Sequence, residues 1–224
     1  MEISPQSYSI IFDLDGTLVD SAPDLHACAN ILLGEMSLPP LDLSTITGFI
    51  GHGIEPLVTQ ALTAAHAPQS GDDLQNSVHR FSEIYAARPA QYCQTYPGVI
   101  QALQQLKDQG LLLGICTNKA HDLARLVVDA VGLDDYCTAL IGGDSCEKRK
   151  PDPEPLFETA RKLGPHPFIF IGDSETDADT AKNADCPFFL HTKGYRKTPI
   201  KELYHTNIFS NWDQLIPLLS EYIS

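Results

Sequence analysis

The chain has 224 residues, 43% hydrophobic and 20% charged, enough apolar material for one large domain or a core carrying an insert. Its formal charge of −14 argues against broad binding to nucleic acid or to an anionic membrane, so an anionic ligand would need cations placed for it. The six cysteines (Cys28, Cys93, Cys116, Cys137, Cys146, Cys186) form no Cys-x-x-Cys pair and no zinc spacing. No basic, apolar leader opens the chain and no apolar run approaches bilayer length, so a soluble protein of the reducing cytoplasm is expected.

Tyr8 to Phe12 is a short apolar run with aromatic and β-branched residues, and reads as a buried strand ending in Asp13-Leu14-Asp15. Gly16 and Thr17 then turn the chain. Ser21 precedes Ala22-Pro23-Asp24, a helix start, and apolar residues recur at helical spacing to about Glu35. Leu38-Pro39-Pro40 breaks that helix. Further helices are expected over Ile54 to His66, after Gly51-His52-Gly53, and from about Asp72 to Arg88. No strand is apparent between Asp20 and Tyr92.

From Tyr96 the rhythm changes. Pro97-Gly98 starts an amphipathic helix that stops at Gly110, and Leu111 to Cys116 is a continuous apolar strand. A helix from His121 to Val131, a strand from Thr138 to Ile141 and a helix from Glu154 to Leu163 follow. Phe168 to Ile171 and Pro187 to His191 are further strands, Glu175 to Asn183 a helix between them, and Trp212 to Tyr222 a closing helix. Strands that are uniformly apolar and alternate with helices indicate a parallel sheet covered on both faces. The expected architecture is α/β, a doubly wound parallel sheet (Rossmann-like core) with an inserted all-helical cap. Residues 1–20 and 93–224 form the core and 21–92 the cap.

In such a sheet, ligands bind beyond the carboxyl ends of the strands. Those ends carry Asp13-Leu14-Asp15, Thr117-Asn118, Lys148-Arg149-Lys150-Pro151 after a short loop, and Gly172-Asp173-Ser174 with Asp177 one turn beyond. Asp13 at a strand end is suited to attack phosphorus, as in enzymes that form an aspartyl-phosphate. Asp13, Asp15, Asp173 and Asp177 cannot all stay ionised in one pocket without a divalent cation, and hard oxygen donors favour Mg²⁺. The Thr117 hydroxyl and neighbouring N–H groups can receive phosphoryl oxygens, and a lysine supplies the opposing point charge.

Asp13-x-Asp15-Gly16-Thr17, Thr117, Lys150-Pro151-x-Pro153 and Gly172-Asp173-Ser174-x-x-Asp177 resemble, in order and spacing, the four motifs of the haloacid dehalogenase-like hydrolases. Within that superfamily the chain resembles the phosphoglycolate phosphatase group, a likeness carried by Phe49 to Gly53, Tyr96 to Val99, Thr117-Asn118-Lys119 and Gly194-Tyr195. The resemblance implies Asp13 as nucleophile and Asp15 as acid–base, with Lys150 rather than Lys148 or Arg149 as the catalytic lysine. It also implies Mg²⁺ held by the Asp13 and Asp173 carboxylates and the Asp15 backbone carbonyl. Asp177 either binds the metal through water or holds Lys150.

Thr117, Asn118 and Lys150 are the expected substrate contacts, with Gly51, His52 and Gly53 offering N–H groups to a carboxylate tail, Arg80 being a second candidate. The substrate implied is a small anionic phosphoester, 2-phosphoglycolate first. A pyrophosphatase, a nucleotidase or a sugar phosphomutase shares the architecture, and a receiver-like phospho-acceptor domain is the non-enzymatic counterpart.

Overall fold

The computed structural model describes residues 8–223. Strand β1 (Ser9–Phe12) is buried at every position, and the two-residue β2 (Val19–Asp20) leads from it into four helices. These are α1 (Ala22–Glu35), α2 (Leu43–Thr47), α3 (Ile54–Ala64) and α4 (Gly71–Ala86). The chain returns through β3 (Gln94–Thr95), antiparallel to β2. It then runs α5 (Val99–Asp108), β4 (Leu112–Cys116), α6 (His121–Ala130), β5 (Ala139–Ile141) and α7 (Glu154–Leu163). β6 (Phe168–Gly172), α8 (Glu175–Asn183), β7 (Phe188–His191), β8 (Asn207–Phe209) and α9 (Leu215–Ile223) complete it.

Six strands form one parallel sheet in the order β5-β4-β1-β6-β7-β8, with β1 pairing Leu112–Ile115 on one edge and Phe168–Ile171 on the other. Strand order thus runs outward from β1 in both directions, which opens a crevice at its carboxyl end. Side-chain alternation explains why β1 has no polar face. Ile10 and Phe12 enter the core shared with α5, α9 and Trp212, whereas Ile11 packs with Leu156, Phe170, Ala178 and Phe188 on the other face. The sheet is therefore dry on both sides.

The helices between β2 and β3 pack on one another through Leu25, Ala29 and Leu32 of α1, Leu57, Val58 and Ala61 of α3, and Phe81, Ile84 and Tyr85 of α4. Helix α2 shows no periodicity in the sequence because it has only five residues; Asp42 starts it by accepting the Thr45 N–H at 2.8 Å. β8 escapes the pattern for a similar reason, being three residues long with Ile208 exposed at the sheet edge. The closing helix begins as a 3₁₀ turn, Trp212–Gln214, before α9 proper. Among the described residues no helix is long and apolar enough to cross a membrane.

One buried carboxylate braces the two chain crossings. Asp24, in the first turn of α1, accepts the backbone N–H groups of Tyr92 and Cys93, each at 2.8 Å, and is 2% exposed. Asp24→Ala strands two donors, the Cys93 N–H deep in the core, and should cost about 2–3 kcal/mol. A thermal melt should show Tm lower by roughly 5–10 °C, with Asp24→Asn losing less because its carbonyl keeps one acceptor.

Candidate active site

The carboxyl edge of the sheet gathers the groups that chemistry requires. Asp13 leaves the end of β1, Thr117 to Lys119 the end of β4, Lys150 the loop after β5, and Asp173 the end of β6. Asp13, Asp15, Thr117, Asn118, Lys119 and Asp173 all line one cavity of about 60 Å³. Its opposite wall is apolar, from Leu25 of α1 and Ile54 and Leu57 of α3, with Gly51, His52 and Gly53 between.

Three carboxylates, those of Asp13, Asp173 and Asp177, come within 4.8 Å of one another, and all three are buried. Burial, and then the neighbouring Asp177 charge, push the Asp13 carboxyl up to about 7 despite Lys150. Burial and the charges of Asp177 and Asp13 likewise raise Asp173 well above the carboxylate range. Lys150 opposes this from the other side, its Nζ 2.9 Å from Asp13 and 2.7 Å from Asp177. Burial works against the ammonium, but the two aspartates outweigh it and hold its pKa above the usual lysine value.

The cluster is fixed by its surroundings. Ser174 and Asp177 form a capping box at the start of α8, and Asp177 Oδ2 also accepts the N–H groups of Asp173 (3.2 Å) and Ser174 (3.1 Å). Asp177 therefore spends one oxygen on Lys150 and the other on its own helix start. Asp173 accepts from Thr17 Oγ1 at 2.8 Å and from the Tyr195 N–H at 2.6 Å. Two glycines allow that approach: a Cβ on Gly16, whose φ is +84°, would lie 2.4 Å from Asp173 Oδ2, and one on Gly194 2.2 Å from it. Asp13 Oδ1 takes Lys150 and the Leu14 N–H, and among the described residues nothing hydrogen-bonds to Oδ2. An all-oxygen set of buried carboxylates with raised proton affinity fits a hard divalent cation, and Asp13 and Asp173 are the members with the fewest other commitments.

The other expected residues fall in several places. The Asp15 carboxylate does not join the three-carboxylate cluster; it accepts the Ser21 hydroxyl, and its two oxygens lie 2.9 and 3.1 Å from the Lys119 ammonium. Asn118 spends its amide N–H groups on the carbonyls of Gly51 and Lys150, each at 3.0 Å, stapling the Gly51 loop to the core. Gly53 starts α3 at φ +88°. Arg80 is nowhere near the cavity: it is exposed and paired with Glu35 (2.7 Å) and Glu83 (2.8 Å).

Lys119, Ser21 and Tyr195 received no role from the sequence. Tyr195 donates its hydroxyl to Asp20 at 2.7 Å and accepts the Ala22 N–H at 3.0 Å, linking the Asp173 loop to the start of α1. For Lys119 the signal was present, a lysine two residues beyond Thr117. For Tyr195 the sequence offered only the Gly194-Tyr195 likeness, and its partners emerge from the tertiary structure. The six cysteines are free, and burial pushes the Cys116 thiol to about 12, so none is poised as a nucleophile.

An acidic, cation-demanding edge on a doubly wound sheet defines a Rossmann-like α/β enzyme. The model of the family described as haloacid dehalogenase-like hydrolase matches residues 10–191, and the chain belongs to that family. It is 42% identical over 215 residues to a phosphoglycolate phosphatase of Cereibacter sphaeroides, covering 96% of this chain and 99% of that one. A phosphoglycolate phosphatase of Rhodobacter capsulatus is 43% identical over 213 residues, 92% of this chain and 94% of its own. The crystal structure of a predicted phosphoglycolate phosphatase from Haemophilus somnus superposes with a TM-score of 0.88 at 30% identity, covering 96% and 98% of the two chains. The protein is a phosphatase enzyme of this family.

Behind the Gly16 turn sits a histidine. His191, 1% exposed, packs against Tyr96, Phe209 and Trp212 and donates from Nδ1 to the Gly16 carbonyl at 3.1 Å. Burial lowers its pKa from 6.5 to about 4, the Gly16 contact only partly opposing. The unfolded chain therefore binds the extra proton between those values, and stability is lost as pH falls from 6.5 toward 4. Denaturant titrations should show this loss reaching about 2–3 kcal/mol between pH 7 and 4.5, over and above that of His191→Gln.

Proposed function

We propose that the enzyme hydrolyses 2-phosphoglycolate to glycolate and phosphate, with Mg²⁺ as cofactor and residues 21–92 acting as a cap over the core. The observation that carries this reading is the cavity. Beside Asp13 it sets the polar groups of Thr117, Asn118 and Lys119 on the sheet edge against an apolar wall of Leu25, Ile54 and Leu57, a lining suited to a short carboxylated phosphoester. The names of the relatives agree with such a substrate.

In this mechanism Asp13 Oδ2 attacks phosphorus in line while the ester P–O bond breaks, and Asp15 delivers a proton to the departing alkoxide oxygen. Water then attacks the aspartyl-phosphate, giving its proton to Asp15, and the Asp13 carboxylate is regenerated with release of phosphate. Thr117 and Lys150 hold the phosphoryl oxygens, the lysine neutralising charge beside the nucleophile. Mg²⁺, held by Asp13, Asp173 and the Asp15 carbonyl, would supply charge neutralisation for the transferred group. Asp177 serves by fixing Lys150. The apolar wall of α1 and α3 excludes bulk water from the reaction. Gly51, His52 and Gly53 line the substrate end.

A phosphate-release panel tests the reading. The wild type should prefer 2-phosphoglycolate over hexose phosphates, nucleotides and pyrophosphate, and Asp13→Asn should lose on the order of 10³-fold or more in kcat while melting cooperatively. Full activity in Asp13→Asn sinks the mechanism, and preference for a nucleotide or pyrophosphate sinks the substrate. Mg²⁺ at about a hundred times its Kd should stabilise the protein by about 2.7 kcal/mol, roughly 5–10 °C in Tm. At one fixed Mg²⁺ concentration the shift should be larger at pH 8 than at pH 6, because the ion competes with protons for Asp13, whose carboxyl sits at about 7 without it.

A further inference from the structure

An ester with a phosphoryl group at one end and a carboxylate at the other needs a cation at each. Lys150 serves the first end, already engaged by Asp13 and Asp177. Neither arginine of the helical layer lines the cavity: Arg80 is paired on the outer surface and Arg88 is exposed. Two lysines line the cavity, Lys119 and Lys197; Lys197 is exposed, whereas Lys119 is only 6% exposed.

The surroundings of Lys119 give it a fixed place. Its backbone N–H donates to Thr117 Oγ1 at 3.2 Å, so its position is keyed to the residue on the phosphoryl side. Its ammonium lies 4.6 Å from the centre of the Tyr85 ring of α4 and within 3.1 Å of both Asp15 oxygens. An ammonium carries three N–H donors, of which Asp15 uses two at most, with the Tyr85 hydroxyl oxygen close to the third. Asp15 also takes the Ser21 hydroxyl, so the carboxylate has partners besides the lysine. Burying an ammonium costs several kcal/mol, and solvating one carboxylate that already has a hydroxyl is a poor reason to incur it. A second anion in the cavity is a better one.

We propose that Lys119 is the specificity-determining residue of the phosphatase, its ammonium receiving the substrate carboxylate while Thr117 and Lys150 receive the phosphoryl group. This rests on the phosphoglycolate reading above. It places recognition on the core, between the phosphoryl site and the Tyr85 ring, with the carboxylate next to the oxygen that Asp15 must protonate.

The experiment compares 2-phosphoglycolate with ethyl phosphate, which lacks the carboxylate, in the wild type, Lys119→Met and Lys119→Arg. The ratio of the two kcat/KM values should fall roughly 10- to 100-fold in Lys119→Met, chiefly through KM for 2-phosphoglycolate, and Lys119→Arg should recover part of it. A residue that only positions Asp15 would slow both esters in equal proportion, and an unchanged ratio overturns the proposal. A wild type with no preference for the carboxylated ester overturns the substrate reading and this inference with it. A preference kept in folded Lys119→Met overturns the inference alone. If Lys119→Met fails to melt cooperatively, Lys119→Gln, which keeps a donor to Asp15 without the charge, carries the same comparison.

Discussion

Three carboxylates buried within 4.8 Å of one another are the condition the rest of this molecule answers to. In a medium of low dielectric such a cluster repels itself strongly, and each member must find cations or donors or give up its charge. Lys150 bridges Asp13 and Asp177, and the α8 start gives Asp177 further donors. Asp173 is held between two glycines that let Thr17 and the Tyr195 N–H reach it. What remains unmet is concentrated on Asp13 and Asp173, whose carboxyls are both pushed upward. The same residual demand fits a hard divalent cation, which would supply charge neutralisation at this edge under the proposed function.

The helical layer is tied to this edge by polar contacts that bear directly on the reacting groups. Asp24 receives the returning chain at Tyr92 and Cys93, and Tyr195 joins the Asp173 loop to Asp20 and Ala22. Asn118 bridges the Gly51 loop and the Lys150 loop, and Lys119 lies between Asp15 and Tyr85. Movement of α1 to α4 would therefore be felt at Asp173, Lys150 and Asp15 together. Such coupling is what an enzyme needs if closure is to complete its site.

The sequence carried the sheet and the strand-end residues because both are periodic or punctuated signals. An apolar run closed by Asp, or a Gly-Asp-Ser turn before a helix, is visible without coordinates. The lost elements were short: α2 has five residues and β8 three, below the length at which a period can be read. In the site, residue types were legible and partners were not. Asp177 was left between two roles until its oxygens were seen on Lys150 and on the α8 start. Arg80 drew attention as a cation in an acidic stretch, but its helix turns it toward Glu35 and Glu83 on the outside. Tyr195 lies 175 residues from Asp20 along the chain, and no local pattern announces a contact of that separation.

Under the proposed function the helical layer leaves the charged contacts with substrate to the core. The helical side of the cavity offers Leu25, Ile54 and Leu57, and its loop offers backbone rather than charge. The charges come from the ends of β1, β4 and β6, with Lys150 behind them. Apolar walls exclude water and shorten the space, and both effects strengthen whatever ion pairs form inside. A small ester with an anionic group at each end would therefore be selected by an edge whose cations stand a fixed distance apart. Under the proposed mechanism those cations are Lys150 and Lys119, on consecutive strand-end loops of a sheet too closely packed to let their spacing drift.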